Sequence, residues 1–122
     1  MTIEKELQQY LIINKELDIS KGKLAVQTAH ASARFERAIA KGLTLPLFDD
    51  SRYLEWADGN EKKIAVRGKL SLMEKLETEG WVSVRDSGLT ELKANTLTVV
   101  ISPPLDKQEA PKWLQRLQVY TD

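Results

Sequence analysis

The chain has 122 residues, and its 18 basic and 18 acidic side chains cancel to a formal net charge of zero. That length suits one domain, residues 1–122, with a core large enough to need neither disulfides nor a structural metal. The absence of cysteine excludes disulfides, thiolate catalysis and cysteine-type zinc sites together, and fits a cytoplasmic location. A neutral balance also excludes the strongly basic class of nucleic-acid binders, so any RNA contact must be confined to a local patch.

No apolar run approaches the ~20 residues that span a membrane. Residues 1–9, which include Glu4, Lys5 and Glu6, lack the apolar stretch of a signal peptide. Tyr10, Leu11, Ile12 and Ile13 form a short apolar run that reads as a strand buried on both faces. After a polar connection, a long helix is predicted from Ser20 as N-cap to about Lys41, with Gly42 as its stop. Leu24, Thr28, Ala31, Phe35 and Ala38 give it one mostly apolar stripe.

A short helix capped by Asp49 or Asp50 carries Tyr53, Leu54 and Trp56 and ends at Gly59. Residues 62–66 read as a second strand, 71–79 as a helix closed by Gly80, 82–85 as a third strand and 96–101 as a fourth. Pro103 and Pro104 are expected to end that fourth strand, and a last helix falls within 108–117, its regular part beyond Pro111. The order is β-α-α-β-α-β-β-α, which predicts an α/β fold of three layers, α/β/α, around a small mixed four-stranded sheet. The connection across 86–95 is long enough that the last two strands need not be hairpin neighbours. Trp113 is the tryptophan expected to be partly exposed; a homodimer face is the alternative use of such residues.

Two segments carry candidate chemistry. In the first, Lys21 and Lys23 flank Gly22 in the first turn of the long helix, where the macrodipole disfavours cations. Stability alone would favour acids there, whereas two lysines among free backbone N–H groups can receive an anion. Two solvated lysines beside a flexible glycine explain the same residues equally well. Gln27 projects from the same side as Lys23, four residues on, and can orient water or a carbonyl. His30, the sole histidine, has no companions with ligand spacing and is expected mainly to pack.

In the second segment, Asp86 follows a strand, where ligands of open α/β sheets gather. Gly88 permits a tight turn, while Thr90 and Thr98 offer hydroxyls. Read alone, these are ordinary turn and strand residues.

Together the segments resemble the type 2 peptidyl-tRNA hydrolases. Ser20-Lys21-Gly22-Lys23-Leu24-Ala25-Val26-Gln27-Thr28-Ala29-His30-Ala31 matches that family's Ser-Lys-Gly-Lys-x-Ala-x-Gln-x-x-His-Ala at every specified position. Asp86-Ser87-Gly88-Leu89-Thr90-Glu91-Leu92 and Thr96-Leu97-Thr98-Val99 match its downstream segments. The chain departs from it at Asn14, where the family usually has arginine, and at Ser102 and Pro103, where the family's last strand ends in a Gly-x-Gly-Pro-like sequence.

The resemblance implies hydrolysis of the ester joining a peptide to the 3′ ribose of tRNA, with peptidyl-tRNA as partner and without cofactor, metal or membrane. It places Lys21, Asp86, Thr90 and Thr98 in catalysis, and Ser20, Gly22, Lys23, Gln27 and His30 in substrate binding. Asp86 would orient the attacking water, Thr90 or Thr98 would fix its position, and Lys21 would meet the oxyanion or terminal phosphate. A basic face of Lys21, Lys23, Lys62, Lys63, Arg67 and Lys69 would contact the RNA. A non-catalytic RNA- or nucleotide-binding module, or a hydrolase of another acylated small molecule, would use the same residues.

Overall fold

The computed structural model describes residues 5–89 and 92–121. Its elements run β1 (Leu7–Asn14), α1 (Lys21–Ala40), α2 (Asp50–Asp58), β2 (Lys63–Gly68), α3 (Leu70–Thr78), β3 (Val82–Arg85), β4 (Leu97–Asp106) and α4 (Lys112–Gln115). The strands form one mixed sheet in the order β2-β1-β4-β3, with β1 parallel to β2 and antiparallel to β4. This is the expected α/β architecture in the expected element order.

Strand alternation distributes the core. Tyr10 and Ile12 of β1 join Val66, Val100, Met73, Leu76 and Leu114 in one layer, against α3 and α4. Leu11 and Ile13 join Val84, Val99, Ile101, Ala31 and Phe35 in the other, against α1, with Phe48 and Tyr53 packed around it. Both faces of β1 are therefore covered, as its continuous apolar run requires.

The caps follow local chemistry. The Ser20 hydroxyl accepts from the Lys23 N–H at 3.1 Å, and Asp49 accepts from the Arg52 N–H at 2.8 Å. Gly42 ends α1 at φ 71°, while Leu43 N–H donates to the Ala38 carbonyl at 3.1 Å.

One expectation changes. β4 does not stop at the prolines but runs through both to Asp106. β3 begins at Val82, opposite Ile101, so beyond that point β4 needs no donors toward a β3 partner. On the other side the β1–β4 register shifts between Gln9 and Leu11. There Tyr10 N–H donates to Ser102 Oγ at 2.9 Å and Gln9 Nε2 to the Ser102 carbonyl at 2.9 Å. Side chains thus carry hydrogen bonding where proline supplies no N–H.

The last two strands, in turn, are antiparallel neighbours despite their long connection. Trp81 and Trp56 are buried, and Trp113, partly exposed, lies with its ring 5.8 Å from that of Trp81. Among the described residues no helix is long and apolar enough to cross a membrane.

Candidate active site

The polar residues of interest gather at the end of the sheet where β1 finishes and α1 begins. β3 delivers Asp86 one residue past its last pair, and the backbone holds it there: Asp86 N–H donates to the Thr96 carbonyl at 2.9 Å and Asn95 N–H to the Asp86 carbonyl at 2.7 Å. Gly88 closes the turn at φ 82°, with its N–H on Asp86 Oδ2 at 2.8 Å. A Cβ at Gly88 would lie 2.6 Å from the Ala94 nitrogen, so the two arms of the connection touch at a point only glycine permits.

From α1, Lys23 Nζ reaches Asp86 Oδ1 at 2.7 Å. Gln27, one turn later on the same face, is buried and places Nε2 3.4 Å from the same oxygen. The carboxylate only accepts, which fixes the Gln27 amide with nitrogen toward Asp86 and oxygen toward β4. There Thr98 Oγ1 donates to Gln27 Oε1 at 2.6 Å. The same hydroxyl lies 3.1 Å from the Val84 carbonyl, but it has one proton and the shorter contact takes it.

Thr98 reaches α1 through a strand irregularity. The β3–β4 register shifts between Val84 and Arg85, leaving Thr98 outside the ladder pairs formed by Leu97 and Val99. Such a bulge re-aims one side chain, here toward the face that α1 covers.

These contacts set the charge of the site. The Lys23 ammonium, followed by the Gly88 N–H, holds the Asp86 carboxyl below the usual aspartate range despite burial, with a small contribution from the charge of His30. Asp86 is therefore a carboxylate at neutral pH and a weak base. Its Oδ1 is occupied by Lys23 and Gln27, whereas Oδ2 receives only Gly88 among the described residues.

The predicted residues separate into three groups. Lys23, Gln27, Asp86 and Thr98 are brought into contact. Thr98 is wholly buried beneath Gln27, so it can act on this cluster only through that amide. Ser20 caps the helix, while Lys21, Gly22 and His30 are exposed on α1. Lys23, rather than the expected Lys21, is the lysine on Asp86.

Lys62 and Lys63 stand at the start of β2, roughly 17 Å along the strand from its end beside the site. Lys62 pairs there with Glu6 at 3.1 Å, and Lys63 lies 4.8 Å from the centre of the Trp56 ring. Thr90 lies outside the described residues. Among the described residues no group of three or more histidine, cysteine, aspartate or glutamate side chains is arranged to hold a metal.

Asn14, the departure from the family pattern, is buried. Its Nδ2 donates to the Leu97 carbonyl and its Oδ1 accepts from the Glu16 N–H, both at 2.9 Å. Nothing in the residue itself signals this; the signal is its position between a buried strand and a helix cap.

Residues 7–120 match the family described as Peptidyl-tRNA hydrolase PTH2. A protein of Staphylothermus marinus named peptidyl-tRNA hydrolase is 40% identical over 104 residues, covering 78% of this chain and 79% of that one. Another of that name from Methanopyrus kandleri is 34% identical over 110 residues, covering 84% and 88% respectively. The match spans every strand and helix that builds the site, and the chain belongs to the PTH2 family of peptidyl-tRNA hydrolases.

Proposed function

We propose that this chain hydrolyses the ester of peptidyl-tRNA at the cluster of Asp86, Lys23 and Gln27, with Thr98 behind it. The observation that carries this reading is the directed chain of hydrogen bonds, Thr98 to Gln27 to Asp86, ending on a carboxylate oxygen that Lys23 also binds. Every proton in that chain points toward Asp86. The carboxylate is thereby fixed in position and kept ionised.

Asp86 accepts a hydrogen bond from the attacking water at Oδ2 and aims its oxygen at the ester carbonyl. With its pKa held low, its contribution is orientation more than proton abstraction. Lys23, at the mouth of the site with its side chain 14% exposed, supplies positive charge where the oxyanion develops. The first turn of α1, with Lys21, receives the terminal phosphate. Water then completes the reaction: its oxygen bonds the carbonyl carbon, the ester C–O bond breaks, and the ribose oxygen leaves with a proton.

Release of an N-blocked amino acid from tRNA, followed for wild type, Lys21→Ala, Lys23→Ala and Asp86→Ala, tests this. Turnover by wild type, abolished in Asp86→Ala and strongly reduced in Lys23→Ala, is the expected result. Lys21→Ala should mainly raise KM. Binding of the tRNA without turnover by wild type would make the chain a binding module instead.

A further inference from the structure

Asn14 takes no part in the chain from Thr98 to Asp86, yet it is buried and uses both ends of its amide. It occupies the last position of β1, one residue past the final β1–β4 ladder pair, Ile13 with Val99. The next pair would be Asn14 with Thr98, and there the ladder stops. In its place the Asn14 side chain donates to the carbonyl of Leu97, the residue just before Thr98. On the other arm Asn14 Oδ1 accepts the Glu16 N–H, its own carbonyl accepts Leu17 N–H at 3.2 Å, and Glu16 Oε2 accepts the Leu70 N–H at 3.3 Å. One amide therefore ties the bulge that aims Thr98 to the turn leading toward the Ser20 cap of α1.

We propose that Asn14 is a positioning residue of this site. It sets the placement of the Thr98 hydroxyl relative to Gln27 by holding the Leu97 peptide, and it acts on Asp86 only through those two residues. The inference rests on the reading that the Asp86 cluster performs the hydrolysis. The 2.6 Å Thr98–Gln27 contact leaves little slack, while the 3.4 Å Gln27–Asp86 contact has no room to lengthen and remain a hydrogen bond. A shift of the Leu97 peptide by a few tenths of an ångström would then free the Gln27 amide from the carboxylate.

Two substitutions separate the parts. Asn14→Asp keeps the shape and the acceptor for Glu16 but removes the donor to Leu97. Asn14→Ala removes both contacts without burying a charge, and serves if the aspartate variant does not fold. Each is assayed for release of an N-blocked amino acid from tRNA, well below its unfolding midpoint, beside Thr98→Val, the double variants and Asp86→Ala.

The expected result is a kcat lower by about tenfold in both Asn14 variants, with KM within about twofold of wild type. In the Thr98→Val background the same substitutions should lower kcat by less than about twofold further, because the two residues act in series. The Gln27 side-chain amide resonances should move in both variants. Unchanged kcat in either folded variant, or losses that multiply fully with Thr98→Val, would overturn the inference while leaving the site reading intact. Turnover surviving in Asp86→Ala would overturn both.

Discussion

Strand β4 is irregular at two places, Ser102 and Thr98, and each buries a hydroxyl completely. At Ser102 the polar contacts close on the backbone: Oγ accepts from Tyr10 N–H and donates to the Pro103 carbonyl at 2.7 Å, while Gln9 Nε2 binds the Ser102 carbonyl. At Thr98 the hydroxyl instead meets another side chain, which meets a third, and the series ends on a charged pair of which only Lys23 is partly exposed. The first arrangement repairs a ladder broken by proline and has no outlet. The second uses buried polar groups to hold a carboxylate just beneath a partly exposed lysine, which strand pairing does not require. The destination of a buried hydrogen bond, more than its burial, separates a structural repair from a site.

The hardest test of that contrast is Asp86→Asn. It keeps the volume and an acceptor for Gly88 N–H but removes the charge on which the chain of hydrogen bonds ends. Turnover should fall by about a hundredfold or more, with the fold intact by circular dichroism. Near-normal kcat would leave the Thr98 arrangement as structural as that at Ser102.

The two hydroxyls should then respond in opposite currencies. Ser102→Ala leaves the buried Tyr10 N–H without its acceptor and should lower the unfolding free energy by about 1–3 kcal/mol, read from urea denaturation, with kcat unchanged. Thr98→Val frees Gln27 Oε1 and should lower kcat by about tenfold at 25 °C, with KM little altered. A reversed pattern would undo the assignment of roles.

These roles were unevenly legible in the amino-acid sequence. Ser20, Gly42 and Gly59 marked helix limits because capping is local chemistry, and Asp49 or Asp50 marked another, the structure choosing Asp49. The alternation of residues 82–85 placed β3 at its observed bounds. The four-residue step between Lys23 and Gln27 put both on one side of α1. Which lysine meets Asp86 depends on where β3 ends against α1, and no local pattern states it. Likewise, Pro103 and Pro104 signal a break unless the end of β3 and the repair by Ser102 are known. Asn14 and the bulge at Thr98 share that difficulty: both depend on register between strands, β1 with β4 for the first and β3 with β4 for the second, and asparagine and threonine are ordinary at such positions.

A gentler probe of the same contrast is pH. The folded state holds the Asp86 pKa below its unfolded value, chiefly through Lys23. Its stabilising contribution is therefore present above the unfolded aspartate pKa and lost as pH falls through the lower folded value. If the carboxylate is the active form, the acid limb of kcat/KM should fall below the usual aspartate range. Lys23→Met should move that limb upward, toward or past the usual range, in addition to lowering the plateau. An acid limb that stays in place in Lys23→Met would mean that another group sets it.

The smallest effect is expected at the far end of β2, where charge pairing has a different character. Glu6 there receives Lys62 at 3.1 Å and Lys107 at 3.3 Å, and all three side chains are well exposed. The side chains of Lys23 and Asp86 are only 14% and 3% exposed, so salt screens the first group far more than the second. Lys62→Ala should leave kcat unchanged and alter KM by less than about twofold at physiological salt. Lys62 lies away from the carboxylate, and its partner Glu6 partly cancels its field toward an approaching phosphate. A larger rise in KM, erased by added salt, would show that the RNA runs along β2 beyond the acceptor end. The basic face would then join both ends of the sheet, with chemistry at one end and phosphate contact at the other.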